Sequence, residues 1–359
     1  MKHRFSPALI AVPLALLLCL ALYYFTPVSK QARGNLTLWY AETDCPREVM
    51  GALLTDYQNQ TRRLVTAAAF PDEQALAAAF ETGRPDLLFC SHVRAWDLDE
   101  REGLTALQNM PPLPASLDGV SPQLGVCFFP LGARLPLLVS GGGAAPETLE
   151  ALFRRAAESG TPCLGADSWA DVLYQGMFSL GRELHGSLKA DQRDEAYRKL
   201  YNALAQAAYA RGIARVRAVP EHVRQGLLEA VIVPSTALAG LGDGAGLAVS
   251  LLPPPEGGRQ AYSAELMGFA VLADEKTRDE ARAFLEWLST GDNALFPALQ
   301  AGLVPMAAPA EAAGESAFAR LLLSLSRGAS LRYPDPGCDF CQNREALEAR
   351  LRQSLDLLA

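Results

Sequence analysis

The sequence predicts an α/β protein built as two lobes behind an N-terminal apolar segment. Three observations lead there. The chain has 359 residues, more than one hydrophobic core usually serves. Its first globular stretch reads strand, helix, strand, helix, strand. A late stretch, residues 267–305, opens as an apolar strand and returns through an amphipathic helix.

Bulk composition narrows the partners. Half of the residues are apolar, and the net charge is −8. No basic run exceeds two or three residues, which argues against nucleic acid or an anionic membrane surface as the main partner. The N-terminus is distinct. Lys2, His3 and Arg4 precede an uncharged stretch, 6–25, whose centre is nearly all Leu, Ala, Val and Ile. A positive flank before an apolar core reads as an export signal, and about 18 apolar residues also span a bilayer. No small-x-small cleavage site follows, since Pro27 and Lys30 precede Ser29 and Ala32 at the wrong places. Leu18 before Cys19 does not fit a lipidation site. An uncleaved anchor with the rest of the chain outside is the expectation, with cleavage or lipidation as alternatives.

Residues 26–34 form a short linker. Residues 35–40, NLTLWY, alternate and are rich in β-formers. Thr43 or Asp44 is placed to cap the next helix, with Pro46 in its first turn. Residues 63–68 are a second strand, and Pro71-Asp72-Glu73 opens a second helix that stops at Gly83. Residues 85–89 are a third strand. This order, with helical crossovers, gives a parallel sheet with the first strand between the other two. Ligands of such sheets bind beyond the strands' carboxyl ends, which places 40–44 and 90–96 at a cleft mouth.

Residues 125–130 and 135–139 read as two further strands. The run Gly141–Gly143 is a turn rather than a phosphate loop. Helix 145–159, strand 161–165, a long helix 169–185 and helical sequence to Tyr209 follow. Residues 229–234, EAVIVP, are a buried strand, and 247–255 with 262–272 bring the chain back. The tail holds a helix, the irregular run RYPDPGCDFCQN and a last helix.

In the late stretch, Ala281, Phe284, Leu285 and Leu288 share one helix face, and Gly291 fits a C-cap. Lys276, Glu280, Ala281, Phe284, Leu285, Glu286, Trp287, Leu288, Ser289, Thr290, Gly302 and Pro305 together resemble a pattern of bacterial extracellular solute-binding proteins of family 1, the receptors of ABC importers. The resemblance is specific over these forty or so residues and looser, as element order, over 35–305. Cys127 departs from it, standing where proline is common.

The resemblance implies a two-lobed, type II periplasmic-binding-protein-like fold. Residues 1–34 would be anchor and linker. Residues 35–130, with 262–310 returning, would form lobe 1, and 131–261 lobe 2, with the C-terminal helices of 311–359 packed on it. It further implies hinge closure over a small solute and delivery to a membrane ABC permease, by a monomer at the extracytoplasmic face of the cytoplasmic membrane, without catalysis, cofactor or metal. A sugar-like, neutral polar ligand is the first expectation. An anchored sensor or accessory protein on the same fold is the alternative.

Rings that stack on a ligand and groups that hydrogen-bond it are sought at cleft-side ends and crossings. The ring candidates are Tyr40, Trp96, Phe129, Trp169, Tyr174 and Tyr262. The polar candidates are Glu42, Thr43, Ser91, Ser235, Thr236, Ser263 and Glu265. Each ring has core filling as its competing role. His92 is the one histidine near the expected cleft, read as a satisfied surface side chain.

Six cysteines lie beyond the apolar segment: Cys45, Cys90, Cys127, Cys163, Cys338 and Cys341. An even number in an exported chain points to disulfides. Cys45 and Cys90 follow neighbouring strands and are one candidate pair; Cys127 with Cys163, and the local Cys338–Cys341, are others. Cys127 has a second reading. Thiamine-degrading transferases share the architecture and use a cleft cysteine, and Pro122-Gln123 before Cys127 resembles them faintly. Such a thiol needs a base, for which Glu265 is the candidate. The CxxC at Cys338 lacks a second pair for zinc. As a redox motif it wants a helix N-terminus in a thioredoxin-like βαβ setting. It precedes the last helix but lacks that setting, so a local disulfide that stiffens the loop is the first reading and a thiol–disulfide protein the alternative.

Overall fold

The computed structural model describes residues 36–108, 124–142, 146–187, 191–239, 246–306, 316–328 and 330–358. The apolar segment 6–25 and Pro122-Gln123 lie outside them. Among the described residues no helix is long and apolar enough to cross a membrane.

The chain runs β1 (Leu36–Ala41), α1 (Arg47–Thr61), β2 (Val65–Phe70), α2 (Glu73–Ala79), β3 (Leu87–Ser91) and α3 (His92–Glu102). Then come β4 (Phe128–Arg134), β5 (Pro136–Ser140), α4 (Leu149–Ser159), β6 (Leu164–Ala166), α5 (Trp169–Ser179), α6 (Glu195–Tyr209) and α7 (Pro220–Arg224). After β7 (Ala230–Pro234), β8 (Ala248–Leu251), β9 (Ala261–Ser263) and β10 (Glu265–Val271) follow α8 (Arg278–Leu288), α9 (Leu295–Gln300) and β11 (Val304–Pro305). The tail is α10 (Ala317–Gly328), β12 (Ser330–Arg332) and α11 (Asp339–Leu358).

Among the described residues the strands form a six-stranded sheet in the order β11-β4-β10-β3-β1-β2 and a four-stranded one in the order β6-β7-β5-β8. β1 lies between β2 and β3, parallel to both. The expectation of parallel-centred sheets is corrected elsewhere. β10 runs antiparallel between β3 and β4, and β5 antiparallel between β7 and β8. The reason is connectivity: β4 turns directly into β5, and the return strand β10 re-enters from the other lobe, so neither arrives by a helical crossover.

Period-two alternation assigns the faces. In β3, Leu87 and Phe89 enter one core while Leu88 and Cys90 enter another. In β5, Leu137 and Val139 face the core that continues under the first sheet, and Leu138 faces the core under α4, α5 and α6. Helix α8 inserts Ala281, Phe284, Leu285 and Leu288 against the first sheet, all fully buried. Each such large side chain contributes roughly 1.5–3 kcal/mol. One bulge, with Leu131 of β4 left unpaired, interrupts the β4–β10 ladder opposite Met267/Gly268. A Cβ at Gly268 would stand 2.1 Å from the Phe129 carbonyl oxygen, so the bulge requires glycine.

The lobes are joined where β4 passes into β5 at Leu135 and where β9 passes into β10 at Ala264. Ser235, just beyond β7, braces the first joint: its N–H donates to the Leu135 carbonyl (2.9 Å). β12 pairs with β9, and Ala264 N–H donates to Arg332 O (3.0 Å), so the tail forms part of the hinge. α10 packs on β11 of the first sheet, whereas α11 packs on α5 and α6 of the second lobe.

Candidate functional site

A cavity of about 870 Å³ opens between the lobes. It lies past the carboxyl ends of β1 (Thr43, Asp44), β3 (Ser91), β6 (Asp167, Ser168) and β7 (Pro234). The first turns of α2, α3, α5 and α11 also face it, so N-terminal helix dipoles converge there. Ser91 caps α3 by accepting from Arg94 N–H (3.2 Å), and Ser168 caps α5 by accepting from Asp171 N–H (3.1 Å). Asp44 does not cap α1, which begins after Pro46 without a side-chain cap.

Asp44 instead serves Arg134, the last residue of β4. Arg134 Nη1 donates to Asp44 Oδ1 (2.7 Å) and Nη2 to Glu265 Oε2 (2.6 Å). Arg344 Nη1, from α11, reaches Glu265 Oε1 (2.9 Å), and its Nη2 reaches Asp171 Oδ2 (2.5 Å) on α5. One chain of charges thus runs from the first lobe through the hinge to the second. Burial raises the Asp44 carboxyl to about 6 despite Arg134. Burial acts on Glu265 in the same direction, but Arg344 and Arg134 outweigh it and hold that carboxyl well below the usual range.

The lining is amphoteric with an acidic excess. Arg94, Arg101, Arg134, Arg217, Arg344 and Arg352 face nine carboxylates: Asp44, Asp72, Glu73, Asp97, Asp167, Asp171, Glu265, Glu345 and Glu348. The arginines are engaged: Arg94 and Arg101 with Asp97, Arg217 with Asp167, and Arg352 with Glu348. Glu73, exposed on the first turn of α2, adds negative potential at Asp44 and Arg134. The expectation of a neutral lining of rings and hydrogen-bonding groups is therefore corrected. Arg134 sits between two apolar strands, and a lone charge there is the signal that sequence reasoning passed over. Arg344 gives no such signal, because its partners are 79 and 173 positions away.

Of the candidates, Thr43, Ser91, Tyr174, Ser263 and Glu265 line the cavity. Tyr40, Phe129, Trp169 and Tyr262 are buried in the cores, and Trp96 packs on one of them. Glu42 pairs with Arg47 away from the cavity, Ser235 braces the hinge, and Thr236 is buried beside it. Tyr174 stacks on Phe340 with ring centroids 3.9 Å apart, so each covers one face of the other. His92 is not a surface residue. It is fully buried, its Nδ1 accepts from Leu266 N–H (3.2 Å), and its Nε2–H donates to Pro334 O (3.0 Å).

No disulfide joins the six described cysteines, and the cores they occupy correct two of the expected bridges. Cys45 and Cys90 belong to cores on opposite faces of the first sheet. Cys127 and Cys163 are likewise in different cores. Cys127 does not line the cavity, and burial pushes its thiol up to about 12, so it offers no thiolate at neutral pH. Among the described residues no cluster of His, Cys, Asp and Glu could hold a metal ion.

No protein-family model matches the sequence, and no curated protein matches it. Solved structures do. The spermidine/putrescine ABC transporter substrate-binding protein PotD from Streptococcus pneumoniae is 15% identical with a TM-score of 0.64, covering 90% of this chain and 99% of its own. Maltose-bound MalE3 of T. maritima gives 16% and 0.65, covering 90% and 100%. The ABC substrate-binding protein Lmo0181 from Listeria monocytogenes, in complex with cycloalternan, gives 11% and 0.67, covering 90% and 94%. Over nearly its whole described length, the chain therefore has the two-lobed fold of ABC substrate-binding proteins.

Proposed function

We propose that the protein is an extracytoplasmic receptor that clasps a small polar organic solute between its lobes and hands it to an ABC permease. The observation that carries this reading is the position of the cavity, at strand carboxyl ends between two sheets joined by crossing segments. Residues 35–130 with 262–310 would move as one lobe and 131–261 as the other. Segment 6–25 would hold the monomer at the outer face of the cytoplasmic membrane.

The lining refines the ligand. A sugar wants exposed ring faces, and the two rings here cover each other. Carboxylates outnumber guanidiniums, and Glu73 and Glu345 are exposed on the cavity wall. A solute carrying a cationic nitrogen with hydrogen-bonding groups fits better than a neutral sugar. A thermal-shift panel of amines, amino acids and sugars tests this, because a ligand of the folded form raises the melting temperature. Amine-bearing compounds should shift it and neutral sugars should not. A panel without any shift would favour the sensor or accessory reading.

A further inference from the structure

The CxxC at Cys338 occupies a position that the binding function does not use. Cys338 is the residue before α11, a 20-residue helix, and Cys341 lies in its first turn. The Cys341 N–H donates to Cys338 Sγ (3.5 Å). Both thiols are half-buried, whereas the other four described thiols are buried in the cores. Cys341 and its neighbour Phe340 line the interlobe cavity. The approach is held in shape: Cys338 N–H donates to Asp335 O (2.9 Å), Gly337 N–H to Asp335 Oδ1 (2.9 Å), and His92 fixes Pro334.

We infer that Cys338 and Cys341 form a thiol–disulfide exchange site that takes small amine-bearing disulfides entering through the cleft. The inference rests on the cleft reading for access and for charge preference. Cys338, half-buried one residue before α11 and beside the lining rather than on it, is the attacking thiol. The Cys341 thiol donating to it, with backbone N–H groups of Cys341 and Phe340, holds its pKa below the ordinary thiol value against the burial that opposes ionisation. The same partnership and burial push Cys341 strongly upward, which suits a resolving thiol. Asp335 near Cys338, Glu265 near Cys341 and Glu73 across the cleft give the approach a negative potential that Arg344, also near Cys341, offsets only in part.

The Cys338 thiolate attacks one sulfur of the incoming disulfide. Its S–S bond breaks, a mixed disulfide forms, and one small thiolate leaves and takes a proton from water. Cys341 then loses its proton to solvent and attacks Cys338 Sγ, closing the Cys338–Cys341 bond and releasing the second small thiol. The protein dithiol is oxidised by two electrons and loses two protons, and the small disulfide gains both.

The test exposes the reduced full-length protein to cystamine, hydroxyethyl disulfide and dithiodipropionate. These are close in size and differ in charge. Oxidation is followed by acid quench, alkylation and peptide mass spectrometry. Each rate is divided by that of a peptide of residues 335–342, which removes intrinsic leaving-group differences. Cystamine should then exceed the other two at least about tenfold, and Cys341→Ser should trap a mixed disulfide on Cys338. Unreactive thiols, a Cys341→Ser protein without the adduct, or equal normalised rates would overturn the inference. Hexamethylenediamine, which has cystamine's length and charge without sulfur, separates the two readings. If it raises the melting temperature while exchange fails, the exchange site is refuted and the cleft reading stands.

Discussion

Arg134 and Glu265 share a two-point contact at the hinge, with Nε and Nη2 both on Oε2 at 3.1 and 2.6 Å. The arginine side chain is only 13% exposed, and it also serves the almost fully buried Asp44. Truncating one member of a buried charge network strands the others in a low-dielectric site. Arg134→Met should lower unfolding stability by about 3–5 kcal/mol in urea titrations. A change below about 1 kcal/mol would show that water reaches this network freely.

Much of the fold was legible in the sequence. The alternation in LTLWY and the Pro-Asp-Glu helix start give the β1–β3 unit, and the spacing of Ala281, Phe284, Leu285 and Leu288 gives α8. The site was less legible. Asp44 reads as a helix cap because capping is a local property, yet Arg134, 90 positions away, takes it. The rings at Tyr40, Phe129 and Tyr262 read equally well as cleft or core, and alternation turned them inward. Cys45 and Cys90 follow neighbouring strands, but strand order alone does not say which sheet face each thiol takes.

Asp44 makes stability depend on pH in an unusual direction. Its folded value, about 6, lies above the ordinary 3.8. Its stabilising contribution is therefore full below about 3.8 and is lost as the pH rises through about 6. Glu265 acts oppositely: its depressed value gives stability that is present above 4.5 and lost as the pH falls. Asp44→Asn keeps an acceptor for Arg134, leaves Glu265 in place, and removes the Asp44 titration. Between about pH 4 and 7, wild type should lose on the order of 2–3 kcal/mol relative to Asp44→Asn. Parallel stability–pH curves for the two proteins would contradict this.

Gly302 explains one residue of the late motif. Its φ of +72° is left-handed, and a Cβ there would stand 2.4 Å from the Ser235 carbonyl oxygen, beside the hinge. Gly302→Ala should cost about 2–4 kcal/mol, combining backbone strain with a clash that only main-chain movement relieves. A melting temperature within a degree or so of wild type would show that the hinge backbone yields at little cost.

Gln175 ties α5 to the crossing strand β9. Its Nε2 donates to Ala261 O (2.8 Å), and its Oε1 accepts from Ser263 N–H (2.8 Å), in buried surroundings. Gln175→Leu has similar bulk and leaves the Ser263 N–H without its acceptor. A loss of about 1–3 kcal/mol is expected in chemical denaturation. Faster hydrogen exchange at Ser263 should accompany it, and an unchanged exchange rate would contradict the assignment.

Calorimetric titration of the most stabilising amine from the thermal-shift panel tests the receptor account most directly. Thr43 is exposed on the cavity wall, so Thr43→Trp intrudes into the gap without disturbing a core. Wild type should bind one solute per chain, and Thr43→Trp should lose that binding at least about a hundredfold while still folding. Undiminished binding by Thr43→Trp would place the solute elsewhere and contradict the account.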